Sequence, residues 1–420
     1  MTSVVQEAWF TEPALTRILS VLNSDSGEAR VVGGAIRNTL MGLPVGDIDI
    51  ATTLLPQDVV ERAKDAGIKA VPTGIEHGTV TLVLDGRGYE VTTLRRDVET
   101  NGRHARVAFG TDWTTDAERR DLTINALYAD ADGEVIDLVG GLADIETRTV
   151  RFIGDAATRI AEDYLRVLRF FRFFAYYGSG RPDADGLRAS ARAKDKLKTL
   201  SAERIWAETK KLLAAPDPSR ALLWMRQTGV LTEILPETEK WGIDAIHALV
   251  QTEQALGWTP DPLLRLAAIV PPDAGRLDGM AKRLRLSNAD ASRLQEWAKA
   301  PVLPDEVTDV GFDRLLYRHG VTGLTMRIRL ALSGARAAAE GDPLSMRKAA
   351  RLTDLLKRCD SYTRPIFPLS GSDVLAAGVP AGKRVGEVLS SLETLWVERN
   401  FSLDRAALTA RLEELVRHKT

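Results

Sequence analysis

Near residue 155 the sequence changes rhythm, and the change divides the fold. Upstream, short β-like runs alternate with turns. Arg30-Val31-Val32 leads into Gly33-Gly34, while Ile48-Asp49-Ile50, Thr79 to Leu84 and Tyr89 to Leu94 read as strands. Ile124 to Tyr128 and Val135 to Leu138 add apolar segments. Asp85-Gly86, Arg87-Gly88, Asp132-Gly133 and Gly140-Gly141 punctuate them. Gln57 to Ala66 reads as a helix ended by Gly67. Downstream, glycines thin out and strand patterns stop. Apolar residues recur at helical spacing from Ala156 to Tyr177. Ser201 reads as the N-cap of a further helix. Pro216, Pro236, Pro262, Pro271, Pro301 and Pro365 mark short joins after it. The expected fold class is α+β: a small mixed-sheet head over 1–154, an all-α neck over 155–215, and an all-α body and tail over 216–420.

Composition narrows the function classes. A chain of 420 residues suggests two to four domains, at about 100–200 residues each. With 44% hydrophobic and 27% charged residues it is globular rather than disordered. No apolar run nears the roughly 18 residues needed to span a bilayer, so no membrane partner is expected. Met1 to Phe10 lacks the basic-then-apolar pattern of a secretory signal. The one cysteine, Cys359, forbids an intrachain disulfide and a CxxC zinc cluster, and a reducing cytoplasm is expected. The net charge of −2 argues against a non-specific nucleic-acid binder. Residues 157–212 nonetheless hold 13 Lys and Arg against 7 Asp and Glu, so a polyanion partner stays open.

Three constellations carry chemistry. The first is Val32-Gly33-Gly34-Ala35-Ile36-Arg37-Asn38, followed by Gly46-Asp47-Ile48-Asp49-Ile50. Paired glycines after a strand let backbone N–H groups approach an anion, and Arg37 can add charge one turn into the following helix. Asp47 and Asp49, two apart on a strand, project together, the usual arrangement for holding Mg²⁺ against substrate phosphates. The second is Arg119-Arg120-Asp121-Leu122-Thr123-Ile124-Asn125, where Asp121 also reads as a helix N-cap. The third is Glu162-Asp163-Tyr164-Leu165-Arg166, continued by Arg169 and Arg172; three apart, Asp163 and Arg166 are expected on one helix face.

Together and in this order, the three motifs resemble the class II tRNA nucleotidyltransferases, the bacterial CCA-adding enzymes, and the related bacterial poly(A) polymerases. The likeness extends to Ser201-Ala-Glu-Arg-Ile-Trp-Ala-Glu-Thr-Lys-Lys211, and more thinly to a tail segment from Leu369 to Gly386. It implies a polymerase-beta-like head and a two-metal nucleotidyl transfer. Gly33, Gly34 and Arg37 correspond to the triphosphate-binding turn, and Asp47 and Asp49 to the metal-binding pair holding two Mg²⁺ ions. Arg120, with Asp121 and Asn125, corresponds to the motif that holds the nucleotide sugar and phosphates. Asp163 and Arg166 correspond to the pair that reads the incoming base, with Arg169 and Arg172 supporting. Asn38 stands where the family usually has Asp. For a third catalytic carboxylate, Glu90 is the first choice and Asp121 the rival.

The reaction so implied is attack of a tRNA 3′-OH on the α-phosphate of CTP or ATP. Asp163 can only accept and Arg166 can only donate. Cytosine and adenine both offer an amino donor beside a ring-nitrogen acceptor; uracil and guanine reverse the pattern. The partner is therefore the tRNA 3′ end and acceptor stem, with no protein partner implied. The long polar stretch Arg95 to Glu118, containing Asn101-Gly102-Arg103-His104, corresponds in that family to a flexible loop linked to the switch from C to A, and an ordinary surface hairpin is the other reading. A poly(A) polymerase, or an enzyme adding only CC or only A, is the alternative reading.

Overall fold

The computed structural model describes residues 4–101, 104–239, 241–304, 306–339 and 341–417, and the side chains outside 97–107. Contacts divide the chain into two compact units, Met1–Glu239 and Lys240–Thr420.

The first unit opens on a seven-stranded mixed sheet. Its strands are β1 (Ala29–Val32), β2 (Asp49–Thr52), β3 (Lys69–Gly74), β4 (Thr79–Leu84), β5 (Arg87–Thr93), β8 (Leu127–Ala129) and β9 (Val135–Asp137), in the order β3-β4-β5-β2-β1-β8-β9. Every neighbouring pair is antiparallel except β2 with β5. That parallel pair needs a crossover, and the helix Pro56–Asp65 lies on it, ended at Gly67 with φ +68°. Alternation decides the faces. In β5, Tyr89, Val91 and Thr93 are buried while Glu90 is exposed; before β2, Ile48 is buried between exposed Asp47 and Asp49.

The stretch from Arg95 to Glu118 takes the hairpin of its two readings. β6 (Arg95–Asn101) pairs with β7 (His104–Phe109) as an antiparallel ribbon with a bulge between Asp97 and Glu99. Gly110 N–H closes its base on the Leu94 carbonyl at 2.9 Å. The helix Trp113–Glu118 follows, its first turn capped by the Asp112 carboxylate. Gly102 and Arg103 lie outside the described residues, as do the side chains of Asn101 and His104.

The helical run expected from Ala156 to Tyr177 is two helices, Ala156–Glu162 and Leu165–Tyr177. Asp163 breaks it. Its backbone is extended (φ −155°, ψ 110°), and its Oδ1 accepts from Leu165 N–H at 3.1 Å. Its carbonyl accepts from Arg166 N–H at 3.0 Å. A short acid that bonds the next turn's amides competes with helix continuation. The second helix buries Leu165, Val167, Leu168, Phe170, Phe171, Phe173 and Phe174. At roughly 1.5–3 kcal/mol per buried side chain, this gives about 10–20 kcal/mol before conformational entropy opposes it. Helix Ala202–Leu213 follows; Ser201 is at its N-cap position, but the hydroxyl makes no cap bond.

The second unit is helical throughout its described residues. Asp261, Asp273, Ser287, Thr308 and Asp342 each cap a helix with a side-chain oxygen, and Pro262 and Pro343 stand at first helical positions. One core gathers Phe312, Leu316, Leu324, Ile328, Leu332, Leu352 and Leu355, with Cys359 buried among them; a second centres on Trp396, Leu392, Leu408 and Val374. Among the described residues, no helix is long and apolar enough to cross a membrane.

Candidate active site

Sheet register builds the first part of the site. Asp49 pairs with Glu90 on β5 and with Val32 on β1, and Val32 pairs with Tyr128 on β8. Register partners share a face, so Glu90, Asp49, Val32 and Tyr128 form one row across four strands. Tyr128 and Val32 are buried at one end, while Asp49 and Glu90 lie open at the other. Asp47 joins them from two residues upstream. Among the described residues, none of these three carboxylates has a side-chain partner. Partial desolvation, then the charge of Glu90 and of Asp47, pushes the Asp49 carboxyl above its usual value, with Arg120 opposing. Mutual repulsion of this kind is what a bound cation relieves. The three carboxylates are not drawn into a ready cage: among the described residues, no three Asp, Glu, His or Cys side chains are close enough to hold a metal unaided. Their donor set is all oxygen, which suits a hard divalent ion that takes its remaining ligands from substrate phosphates and water.

Beside this row runs the glycine turn. Gly33 has φ +75° and ψ −116°, a backbone that side-chain-bearing residues rarely adopt. A Cβ there would stand 3.4 Å from the Asn125 carbonyl and 4.0 Å from Arg120 Nη1; one on Gly34 would stand 3.6 Å from Arg37 Nη2. Both arginines therefore border the turn. The helix after it, Gly34–Leu40, has only seven residues, so guanidinium charge rather than a long helix dipole dominates the local field.

Arg37 is buried and engaged. It donates to Asn38 Oδ1 (3.2 and 2.9 Å), to Asn125 Oδ1 and to the Tyr177 hydroxyl (2.8 Å). Arg120 is held by Asp116 (3.0 Å), which also binds Arg119 (2.5 Å) and accepts from Tyr128 OH (2.8 Å). Burial alone would raise the Asp116 carboxyl, but the two arginines and the phenol bring it below its usual value. Burial and Asp116 push the Tyr128 phenol up, against Arg120.

Asp121 is no free third carboxylate and no helix N-cap. It is buried, ion-paired with Arg169 at 2.6 Å, and accepts from Asn125 Nδ2 at 3.3 Å. Its burial would raise it; Arg169 and Asn125 outweigh that and hold it low. Geometry thus leaves Glu90 in the row with Asp49. The chain Arg37–Asn125–Asp121–Arg169 physically joins the three sequence motifs.

Asp163 and Arg166 do not share a helix face, because Asp163 lies in the break. Nor do they pair with each other. Asp163 Oδ2 accepts from Arg204 at 2.5 Å, and Arg166 donates to Glu162 and to the Arg159 carbonyl (2.8 Å). Arg172 binds Glu208 at 2.6 Å. Arg204 and Glu208, both on helix Ala202–Leu213, were given no role from sequence. The signal was present: Glu208 falls on the stripe formed by Trp206, Thr209, Leu212 and Leu213, and an acid there requires a buried partner.

Residues 29–151 match the family described as "Poly A polymerase head domain", and 183–241 match "Probable RNA and SrmB- binding site of polymerase A". A Mus musculus protein named CCA tRNA nucleotidyltransferase 1, mitochondrial, is 33% identical over 97% of this chain and 91% of its own length. The chain belongs to the CCA-adding tRNA nucleotidyltransferases. Another member of this family, the CCA-adding enzyme of Limosilactobacillus fermentum, is 30% identical over 97% of each chain. The crystal structure of the Bacillus stearothermophilus CCA-adding enzyme in complex with CTP superposes with a TM-score of 0.75 and 27% identity, covering 99% of both chains. The mixed-sheet head and helical remainder are thus the fold of this nucleotidyltransferase family.

Proposed function

We propose that this CCA-adding enzyme builds CMP, CMP and AMP onto the tRNA 3′ end with the residues just described. The observation that carries the reading is the register of Asp49 with Glu90, two oxygen donors side by side beside a cationic glycine turn. Asp47, Asp49 and Glu90 would hold the divalent ions, with two Mg²⁺ the expected set. When bound, such ions neutralise charge on the attacking and leaving oxygens of a phosphoryl transfer.

The chain's own groups do the rest. Gly33 and Gly34 admit the triphosphate close to the backbone. Arg37 and Arg120 supply positive charge at that turn, and Asp116 and Tyr128 fix the Arg120 guanidinium. Asn125 and Asp121 brace the sugar-side motif against Arg169. Asp163 and Arg166 read the base with the capacity their present partners leave. A carboxylate has about four lone-pair sites, of which Asp163 uses two in the bonds described; a guanidinium has five N–H donors, of which Arg166 uses two. An acceptor-only group beside a donor-only group favours cytosine and adenine and leaves groups of uracil and guanine unpaired. Arg172, tied to Glu208, steadies the helix behind them.

We assign the head to 1–154, the neck to 155–215 and the tRNA-binding body and tail to 216–420, and place the enzyme in the cytoplasm. The relatives named above favour CCA addition over a poly(A) tail. The decisive experiment supplies CTP and ATP, singly and together, to tRNA transcripts ending before CCA, after C and after CC, and sequences the 3′ ends. Addition of two Cs and one A followed by a stop is expected. A long A-tail or a halt at CC would overturn the reading.

A further inference from the structure

Three guanidinia surround one phenyl ring. The Phe173 centroid lies 4.3 Å from the Arg172 guanidinium, 5.3 Å from Arg37 and 5.4 Å from Arg169. Two of the three are neutralised, Arg169 by Asp121 and Arg172 by Glu208. Among the described residues, no carboxylate pairs with Arg37. Its acceptors are the neutral oxygens of Asn38, Asn125 and Tyr177. The cluster therefore carries one surplus positive charge, and that charge borders Gly34.

Tyr177 holds Arg37 in two ways. Its hydroxyl accepts from Nη2 at 2.8 Å, and its ring lies under the guanidinium at 4.0 Å. It is the last residue of helix Leu165–Tyr177, whose first turn adjoins the base-reading residues. A carboxylate in its place would fix Arg37 equally well but cancel its charge. A phenol and a π-face hold a buried cation without cancelling it.

We propose that Tyr177 is a positioning residue for the triphosphate: it holds Arg37 at the glycine turn as an uncancelled charge. The base-reading helix is thereby tied at its far end to the phosphate-binding turn. The proposal rests on the reading of Arg37 as part of the triphosphate site. It predicts that Tyr177 governs affinity for the phosphates shared by CTP and ATP, not the choice between their bases.

The test measures steady-state kinetics with CTP and ATP on the matching tRNA ends, alongside direct binding of inorganic triphosphate. Tyr177→Leu should raise KM for both nucleotides about tenfold, as expected for loss of a hydrogen bond and a cation–π contact to one guanidinium. Turnover should stay within about threefold, as for uniform binding energy. Inorganic triphosphate should weaken by the same factor. Tyr177→Phe, which keeps the ring, should lose about threefold. In an Arg37→Lys background, Tyr177→Leu should add less than about twofold, because the residue it acts through is already gone.

Unchanged KM in Tyr177→Leu overturns the proposal. So does a full additional loss in the Arg37→Lys background, or a change in the CTP-to-ATP preference without loss of triphosphate binding. Should Tyr177→Leu fail to fold, Tyr177→Phe decides by the same criteria. A wild-type enzyme that binds inorganic triphosphate but extends no tRNA would refute the functional reading while leaving this measurement intact.

Discussion

Asp49 and Glu90 face the same side of the sheet from adjacent parallel strands, one register step wide and with no intervening residue. Neighbouring strands lie about 4.8 Å apart, so their carboxylates repel until a cation separates them. The head places these two groups by backbone pairing rather than by loop geometry.

Asp49→Asn and Glu90→Gln should each reduce CMP incorporation about a thousandfold or more, from several kcal/mol of lost transition-state charge stabilisation. Affinity for tRNA should hold within about twofold, since phosphate contacts from Lys and Arg dominate it. In chelator, Asp49→Asn should melt no lower than the wild type, because the substitution removes like-charge repulsion. Quench-flow incorporation, filter binding and thermal melts separate the three effects.

Chelation should abolish incorporation reversibly, with Mg²⁺ restoring it. Radiolabelled CTP incorporation across an EDTA and Mg²⁺ series reads this directly. Activity that survives exhaustive chelation would remove the metal role given to Asp47, Asp49 and Glu90.

Acid should loosen the joint between Asp121 and Arg169. Asp121 titrates lower in the folded chain than when unfolded, so its contribution is present above the unfolded value of about 3.9. That contribution is lost as pH falls through the folded value, because the unfolded state then binds the proton first. Asp121→Asn should cost about 2–4 kcal/mol at pH 7 by stranding Arg169, and should flatten the decline in melting temperature below about pH 4. Melts from pH 7 to pH 3 on both proteins provide the check.

Arg204→Met should loosen base selection. Without its partner Arg204, Asp163 loses the contact that fixes its Oδ2. UMP misincorporation relative to CMP should rise about tenfold, since discrimination depends on precisely placed polar groups left unpaired by the wrong base. Sequenced 3′ ends from mixed CTP and UTP reactions give the ratio.

Gly33→Ala should cost about 1–3 kcal/mol from the positive-φ, glycine-type backbone alone. Its methyl would meet the Asn125 carbonyl at 3.4 Å, an ordinary contact, so the backbone carries the cost. Melting temperature and KM for ATP should both suffer.

Much of this was legible in the sequence because it is periodic. The alternation of Ile48 and Ile50 with Asp47 and Asp49 put both carboxylates on the open face, and the change of rhythm near 155 marked where strands give way to helices. What escaped were pairings between distant segments. Nothing local announces that Arg204 reaches Asp163 or that Tyr177 reaches Arg37, since such contacts depend on how helices pack. The break at Asp163 hid because apolar residues keep helical spacing on both sides of it. The ribbon β6–β7 was legible only as one of two readings, because its charge masks the strand alternation.

The break at Asp163 gives the neck a knuckle. Behind it, seven buried apolar side chains lock Leu165–Tyr177 in place, so that helix is an anvil rather than a lever. Asp163 is mounted on the joint, where its backbone torsions, the Leu165 amide and Arg204 together set its aim.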